Sequence, residues 1–575
     1  MKKYFKFSSK GWLLGIMTLF ACETDIDVLT PTNNGTLPNG TPVTLDFSNY
    51  IAIGNSLTAG YSDAALYLEA QQQSFPSIVA EQLMEVGLED FDQPLMPDGG
   101  GANGGTGDNL QGRRFIQSFV NGAPNIQIAP PSTTPYSKVD NIEEIDNFGV
   151  PGLRLVESVI PGLGASVELG NPFYFRILPE ESPLKTYQDL VVEQDPTFFT
   201  LWLGNNDVLG YATSGGVFGE EGIPEQAGLN GLTSVTTFQI LYEGLVERLI
   251  SDGETYGALY TIPDVTTIPF FTTIPWNSLV LDQATADRVN LLIGGVVRGG
   301  VEQQAVATVV IPQIVQGFVD AEVLAPENAP AFQAEYTQAY LDNPDSPVAP
   351  ENSPFAVLYP SANAALDQTV TSVAFQEQID QQTALFIEQA NQLVPGAVPE
   401  FVAGANPLIV LDEESPTGFR SMISSELVLL TASGKLQQLQ EAIAGAGTGG
   451  ITPEMILSLL PDDEDFLDTQ EVLLVRNRSR AFNQIIIDLT IANDNLVLVD
   501  VASVLAEAAE MPISEDGVTL SATFISGGAF SLDGTHLTPR GYAFIANETI
   551  KAINKEYGTR IPVVSLSQYR GVEFP

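Results

Sequence analysis

The chain has very little histidine and cysteine for its length, with one residue of each among 575. A single cysteine cannot form a disulfide within the chain, so the fold must be held together by its hydrophobic core. Any acid–base chemistry by an imidazole near neutral pH must use His536. Because zinc sites are built mainly from cysteine and histidine ligands, the same scarcity argues against a zinc site.

Basic residues are scarce as well. The chain contains 23 lysines and arginines against 71 aspartates and glutamates, which gives a formal net charge of −48. A surface this negative disfavours contact with nucleic acid and with anionic lipid headgroups. The glycine-rich stretch 97–112 lacks the spaced lysine of a phosphate-binding loop, and no dinucleotide fingerprint is present. The sequence therefore predicts neither a cofactor nor a metal.

The first residues have the layout of a secretory signal. Four lysines precede the apolar run 12–21, which is too short to span a bilayer permanently. The run ends at Leu19-Phe20-Ala21-Cys22, which resembles a bacterial lipobox, where the cysteine becomes the lipidated first residue of the mature chain. We therefore predict a signal peptide over 1–21 and lipidation of Cys22. Residues 22–45 contain few large apolar side chains and are predicted to be a flexible tether.

Short apolar runs alternate with amphipathic helical patterns in two parts of the chain. The predicted strands end near residues 53, 203, 263 and 500, and predicted helices cover 237–250, 478–492 and a segment that starts at Pro539 after the capping residue Thr538. Strands that alternate with helices indicate a parallel sheet covered on both faces. Residues 46–268 and 469–575 are therefore predicted to form one α/β domain. Residues 269–468 interrupt the alternation and are predicted to be a mostly helical insertion or cap that shapes substrate choice.

Four separated motifs carry the candidate site residues. They are Gly54-Asn55-Ser56, the segment from Asn147 to Gly152, Gly204-Asn205-Asn206-Asp207, and Asp533-Gly534-Thr535-His536. The first and third each follow an apolar run, and ligand sites of parallel α/β sheets gather at the carboxyl ends of the strands. Taken singly, each motif is also explained by ordinary turn chemistry or by a packed histidine. Their joint presence favours a functional site.

In this order, the four motifs resemble the four blocks of the SGNH (GDSL-type) hydrolase family. In detail, the chain resembles the large lipid-anchored GDSL-like lipoproteins of Bacteroidetes, with Asn55 where most members have Asp. The resemblance covers about residues 45–265 and 470–575. It implies a flavodoxin-like three-layer α/β/α sandwich with a parallel sheet, and it implies no cofactor and no metal. It also places the protein in the cell envelope, anchored to the outer membrane.

The resemblance further implies a role for each candidate residue. Ser56 would be the nucleophile, His536 the base and Asp533 the acid that orients the histidine. The N–H groups of Ser56 and Gly152 and the side chain of Asn206 would form the oxyanion hole, and Asp207 would be structural. Serine is a weak nucleophile until a base takes its proton, and N–H donors stabilise the oxyanion that forms after attack. The expected reaction is hydrolysis of a carboxylic ester.

The alternative is a non-catalytic surface lipoprotein that keeps the fold and binds glycans or lipids. A degenerate copy would be expected to have lost Ser56, Asn206, Asp533 or His536, and all four are present. The sequence therefore favours an esterase that meets the membrane only through its anchor. Acyl lipids, acetylated glycans and small esters all fit as substrates. Periplasmic and outward orientation both stay open.

Overall fold

The computed structural model describes residues 30–120, 122–140, 142–217, 231–445 and 453–575. The strands in these ranges are β1 (Asn34–Thr36), β2 (Pro42–Thr44), β3 (Tyr50–Gly54), β4 (Arg114–Val120), β5 (Ala123–Ile128), β6 (Asn147–Gly149), β7 (Phe198–Trp202), β8 (Tyr256–Tyr260), β9 (Leu279–Leu281), β10 (Gly404–Asn406), β11 (Ile409–Leu411), β12 (Phe419–Ser421), β13 (Leu427–Val428), β14 (Phe466–Leu467), β15 (Leu496–Val499), β16 (Ile513–Glu515) and β17 (Val518–Leu520). The helices are α1 (Ser56–Ala59), α2 (Leu68–Gln71), α3 (Phe75–Leu83), α4 (Pro172–Ile177), α5 (Tyr187–Val192), α6 (Asn206–Thr213), α7 (Val235–Leu249), α8 (Pro269–Thr272), α9 (Gln283–Ala305), α10 (Ile311–Asp320), α11 (Ala329–Asp342), α12 (Tyr359–Val370), α13 (Val373–Leu393), α14 (Ser433–Gly445), α15 (Pro453–Leu457), α16 (Thr469–Ala492), α17 (Val501–Glu510) and α18 (Pro539–Tyr557). A π-helix, Val306–Val310, joins α9 to α10.

A five-stranded parallel sheet forms the centre of the fold, in the order β15-β8-β7-β3-β6. Counted in chain order within the sheet, this arrangement is 2-1-3-4-5 when it is followed from β6, which is the flavodoxin-like order. β3 and β7 are buried along their whole length, as expected for strands with helices on both faces. α3 packs against α18, and α7 packs against α16. The predicted flavodoxin-like three-layer fold is confirmed.

The described residues of 269–468 are mostly helical, as the sequence predicts for the insertion. Most of their buried apolar side chains form two clusters of their own, one around α9 and α14 and one around α10, α11 and α12. The sheet domain resumes with α16, whose first turn is closed by a capping box between Asp468 and Glu471. Each of these two side chains accepts the backbone N–H of the other residue, at 2.8 and 2.7 Å.

Residues 30–45 correct the sequence analysis, which predicted a flexible tether as far as residue 45. β1 and β2 pair as an antiparallel hairpin, and Thr32 bridges to Arg560 near the other end of the domain. The reason is the alternation of Val43, Leu45 and Phe47, which are all buried and give this otherwise polar segment one apolar face. The predicted signal peptide, Cys22 and the first part of the tether lie outside the described residues. In the described ranges, no helix combines the length and apolar character needed to cross a membrane.

Candidate active site

Ser56 lies at the turn where β3 ends and α1 begins. The side chain of Asn55 caps this short helix by accepting the N–H of Leu57 at 3.1 Å. On the neighbouring strand β6, a Cβ atom added to Gly149 would lie only 2.2 Å from the backbone nitrogen of Ala59. Glycine therefore allows β6 to approach the helix closely, and the tight packing fixes the turn that presents the serine.

The order of the sheet brings the other predicted motifs to the same place. β3 lies between β6 and β7, and this is the point at which the strand order reverses. Ser56 follows β3, Gly152 follows β6 and Asn206 begins the helix after β7. All three line one cleft together with His536. Ligands of open parallel sheets bind at the carboxyl edge at such a reversal, so the cleft has the expected position for a site.

His536 joins the serine to the acid by two hydrogen bonds. Its Nε2 lies 2.9 Å from Oγ of Ser56, and its Nδ1 lies 2.9 Å from Oδ2 of Asp533. The ring of Tyr61 packs against the imidazole, with 4.5 Å between the ring centroids. The histidine side chain is only 15% exposed. In this geometry an imidazole can remove the serine proton while the carboxylate holds the ring in place.

Both carboxylate oxygens of Asp533 accept several hydrogen bonds. Oδ1 accepts the backbone N–H groups of Thr535 and His536, each at 2.8 Å, and the hydroxyl of Ser531 at 3.2 Å. Oδ2 accepts the N–H of Ala64 at 2.9 Å in addition to the histidine ring. Burial by itself would raise the pKa of Asp533, but the positive charge of a protonated His536 and these hydrogen bonds outweigh it. The pKa is held well below its usual value, so the group stays ionised.

Sequence reasoning missed a turn that supports this acid. Asp63 and Ala64 have φ angles of 52° and 64°, a left-handed conformation that is uncommon for residues with a side chain. The carboxylate of Asp63 accepts the N–H of Leu532 at 3.0 Å, and its own N–H donates to the hydroxyl of Ser531 at 2.9 Å. Burial raises the pKa of Asp63. The turn therefore clamps the loop that carries Asp533.

The two predicted oxyanion donors outside α1 reach the cleft from different segments, Asn206 from the start of α6 and Gly152 from the loop after β6. The side-chain nitrogen of Asn206 donates to the carbonyl of Leu153 at 3.0 Å. An amide nitrogen carries two N–H groups, so this bond orients the side chain and leaves a second donor for a ligand. Gly152 is exposed and has a φ of 78°, which places its backbone in a region open mainly to glycine. Both residues line the cleft beside Ser56.

Asp207 bonds inside the protein, as expected for a structural residue. It is fully buried and accepts the N–H of Leu155 at 2.6 Å and the hydroxyl of Thr233 at 2.7 Å. Burial raises its pKa, while the nearby charge of Arg154 acts in the opposite direction. These bonds tie α6 to the segment after β6. Across the described ranges, His, Cys, Asp and Glu side chains form no group of three or more that could hold a metal ion.

Comparison with known proteins identifies the family of this domain. Residues 50–297 match the model of the GDSL-like Lipase/Acylhydrolase family. The match assigns residues 50–297 to this family. The match begins at β3 and covers Ser56, Gly152 and Asn206, whereas Asp533 and His536 lie beyond its end. Comparisons with curated proteins and with solved structures found no match. Membership of the GDSL-like family supports an esterase- or lipase-type hydrolase.

Two hollows of the GDSL-like domain meet at Ser56, Asn206 and His536. The first, which we call the narrow pocket, has a volume of about 40 Å³ and a largely apolar lining that includes Trp202, Leu209, Val265, Ile268, Leu505 and Phe530. The second, the open cleft, has a volume of about 470 Å³ and includes Tyr61, Asn103, Gly152, Glu157 and Asn171 in its lining. No described residue of 269–468 lines either hollow. The described walls of these two hollows come from the sheet domain. That residues 269–468 shape substrate choice stays a prediction.

Proposed function

We propose that this protein is a serine esterase that cleaves carboxylic ester bonds through Ser56, His536 and Asp533. The observation that carries the proposal is the unbroken chain of hydrogen bonds from the serine hydroxyl through the imidazole to the carboxylate, with 2.9 Å at each step. The chain ends in a cleft that a substrate can reach from solvent. Membership of the GDSL-like family supports the same class of reaction.

In the first half of the proposed reaction, Nε2 of His536 takes the proton of Ser56 while Oγ bonds to the carbonyl carbon. The carbonyl electron pair moves onto its oxygen, and the N–H groups of Ser56, Gly152 and Asn206 stabilise the resulting oxyanion. Losing one such donor typically costs about 2.7–4 kcal/mol of transition-state stabilisation. The imidazolium then gives its proton to the leaving alcohol as the carbon–oxygen bond breaks.

In the second half, water replaces the alcohol and attacks the acyl-serine. His536 takes a proton from the water, the bond between the acyl carbon and Oγ breaks, and the proton returns to Ser56. One water is consumed, and one alcohol and one carboxylic acid are released. Asp533 stays ionised through both halves because its pKa is held low, and its negative charge stabilises the imidazolium each time it forms.

Labelling with a fluorophosphonate, followed by ester kinetics, tests the proposal. We expect the label on Ser56, and we expect kcat/KM for p-nitrophenyl acetate to fall by roughly 10⁶-fold in both Ser56→Ala and His536→Ala, because members of a triad act as a unit. Ser251→Ala, at an exposed serine after α7, is the matched control and should keep full activity. Wild-type activity in His536→Ala would overturn the proposal. Absence of both label and turnover would favour the alternative, a glycan- or lipid-binding lipoprotein.

We also propose that the enzyme is anchored to the outer membrane of the cell envelope through a lipid on Cys22. The four lysines, the apolar run 12–21 and the lipobox-like Leu19-Phe20-Ala21-Cys22 support this location. Cys22→Ser should release the protein from the membrane fraction or leave the signal uncleaved. Unchanged membrane association with normal processing would contradict the proposal.

A further inference from the structure

The two hollows beside Ser56 differ enough to indicate which half of an ester each one receives. An ester carbon bonded to the serine carries two groups that need room, the acyl chain and the leaving alcohol. Both hollows include Ser56 and His536 in their linings, so each can hold one of these groups. Their sizes, their polarity and the order of the chemical steps decide the assignment.

The narrow pocket sets a limit on the group that it can hold. Its volume of about 40 Å³ has room for roughly three water-sized groups. A methyl or methylene group needs about the same space as a water, so a chain of about three carbons beyond the carbonyl fills it. Val265, Ile268 and Phe530 are almost completely buried in the wall. Because side chains in a packed protein interior resist displacement, a longer acyl chain cannot enter unless these three side chains move.

The open cleft has more than ten times this volume and a more polar wall. Asn103, Glu157 and Asn171 line it together with backbone groups of Gly104 and Gly170. Among its described lining residues there is no lysine or arginine, and Glu157 adds an acid. A phosphorylated or carboxylated substrate would find no opposite charge there, and the net charge of −48 would repel it further. Leu163, Leu169 and Phe173 also line the cleft, so its wall combines polar groups with apolar surface. The cleft therefore fits an uncharged group that has both hydroxyls and apolar faces, as a carbohydrate does.

The order of the steps assigns the alcohol to the open cleft. After the first half of the reaction the acyl group is bonded to Ser56, while the alcohol must depart and water must take its place. The group that leaves first needs a free path to solvent, and the group that stays can be enclosed. We propose that the site removes a short acyl group, from acetyl to butyryl, from a hydroxyl of an uncharged hydrophilic alcohol such as a carbohydrate. This inference rests on the proposed serine esterase reaction.

A series of p-nitrophenyl esters with acyl groups of increasing length measures the limit set by the narrow pocket. For the full chain, kcat/KM on p-nitrophenyl acetate, butyrate, hexanoate and octanoate should fall by roughly tenfold or more beyond butyrate. Ile268→Ala should enlarge the pocket and raise the ratio of hexanoate to butyrate activity severalfold. Ile293→Ala makes the same truncation at an equally buried site in the insertion and should leave the ratio unchanged. If circular dichroism shows that Ile268→Ala does not fold, Val265→Ala gives the same readout.

A second assay tests the assignment of the alcohol. Glucose pentaacetate should release acetate, whereas the methyl ester of galacturonic acid, which fits the reverse orientation, should release no methanol. A preference for octanoate, an unchanged ratio in a folded pocket variant, or cleavage of the methyl ester alone would overturn the inference. If Ser56 takes the fluorophosphonate in any of these cases, the esterase proposal stands and only the substrate assignment fails. Absence of both label and turnover would refute the esterase proposal itself.

Discussion

Replacing Asp533 by Asn should remove most of the ester hydrolysis, although the two side chains have nearly the same shape. Oδ1 faces three donors, which are the N–H groups of Thr535 and His536 and the hydroxyl of Ser531. Oδ2 faces two more, the N–H of Ala64 and Nδ1 of the histidine ring. An asparagine has only one oxygen, so its NH₂ group must take one of these positions.

The amide should place its NH₂ at the Oδ2 position. At the Oδ1 position it would oppose two backbone N–H groups, whereas at Oδ2 it opposes only that of Ala64. There it would donate to Nδ1 of His536, which would have to become an acceptor. The ring proton would then lie on Nε2 and point at Oγ of Ser56, 2.9 Å away. A nitrogen that already carries a proton cannot take the proton of the serine.

The expected fall in kcat/KM has two causes. The wrong tautomer and the missing negative charge should lower kcat/KM by about 10³- to 10⁴-fold, which corresponds to about 4–5.5 kcal/mol of transition-state stabilisation. The unpaired, partly buried N–H of Ala64 should also lower the free energy of unfolding by about 1 kcal/mol. The loss of transition-state stabilisation should therefore be much larger than the loss in the free energy of unfolding.

The assay is kcat/KM on p-nitrophenyl acetate together with urea unfolding of the same samples. Asp516→Asn is the matched control, because Asp516 is exposed in the turn between β16 and β17 and also has a positive φ of 50°. It should retain wild-type kinetics. A loss of less than about tenfold in a folded Asp533→Asn variant would refute the reasoning, since the tautomer argument requires several times that free energy.

Three further predictions concern groups around the site and the fold. Ser531→Ala should lower kcat by roughly threefold to tenfold with little change in KM, because it removes one hydrogen bond to Asp533, and Ser531→Thr should restore part of the loss. Asp207→Ala should lower the free energy of unfolding in urea by about 2–5 kcal/mol, because it removes the buried carboxylate that accepts the N–H of Leu155 and the hydroxyl of Thr233. Burial raises the pKa of Glu471 to about 7, so the folded protein holds this proton more tightly than the unfolded chain does. The free energy of unfolding should therefore rise on the order of 1 kcal/mol from about pH 8 to pH 5, and Glu471→Gln should reduce this slope.

The parts of the fold that could be predicted are those with a strong local signal. β3 ends at Gly54 and β7 at Trp202, close to where each apolar run stops, and α18 begins at Pro539 after Thr538 as expected. β6 could not be predicted, because it has only three residues and leaves too short a pattern. The hairpin of β4 and β5 was missed because many of its side chains are partly exposed, and it lacks a clear alternation of apolar and polar residues.

Contacts between distant segments explain what the sequence could not predict at the site. The motifs indicated that Ser56 and His536 belong to one site, but nothing near either residue points to the turn at Asp63 and Ala64. Asp63 meets its partner Leu532 across 469 positions of the chain. The positive φ angles of the turn could not be predicted either, because aspartate adopts that conformation only occasionally and alanine rarely does. Tertiary contacts hold this turn, and local sequence preference does not.

The position of this turn explains how a large insertion can coexist with a compact site. Three residues separate Asp63 and Ala64 from the end of α1, so the short segment that presents Ser56 also holds the loop of Asp533. The two ends of the hydrogen-bonded chain are therefore fixed to each other and do not depend on the path of the chain between β8 and β15. The insertion touches this loop where α8 begins, through the N–H of Phe270 on the carbonyl of Gly534 at 2.9 Å. Because α8 follows directly after Ile268 of the narrow pocket, the start of the insertion braces the acid loop and the pocket wall together.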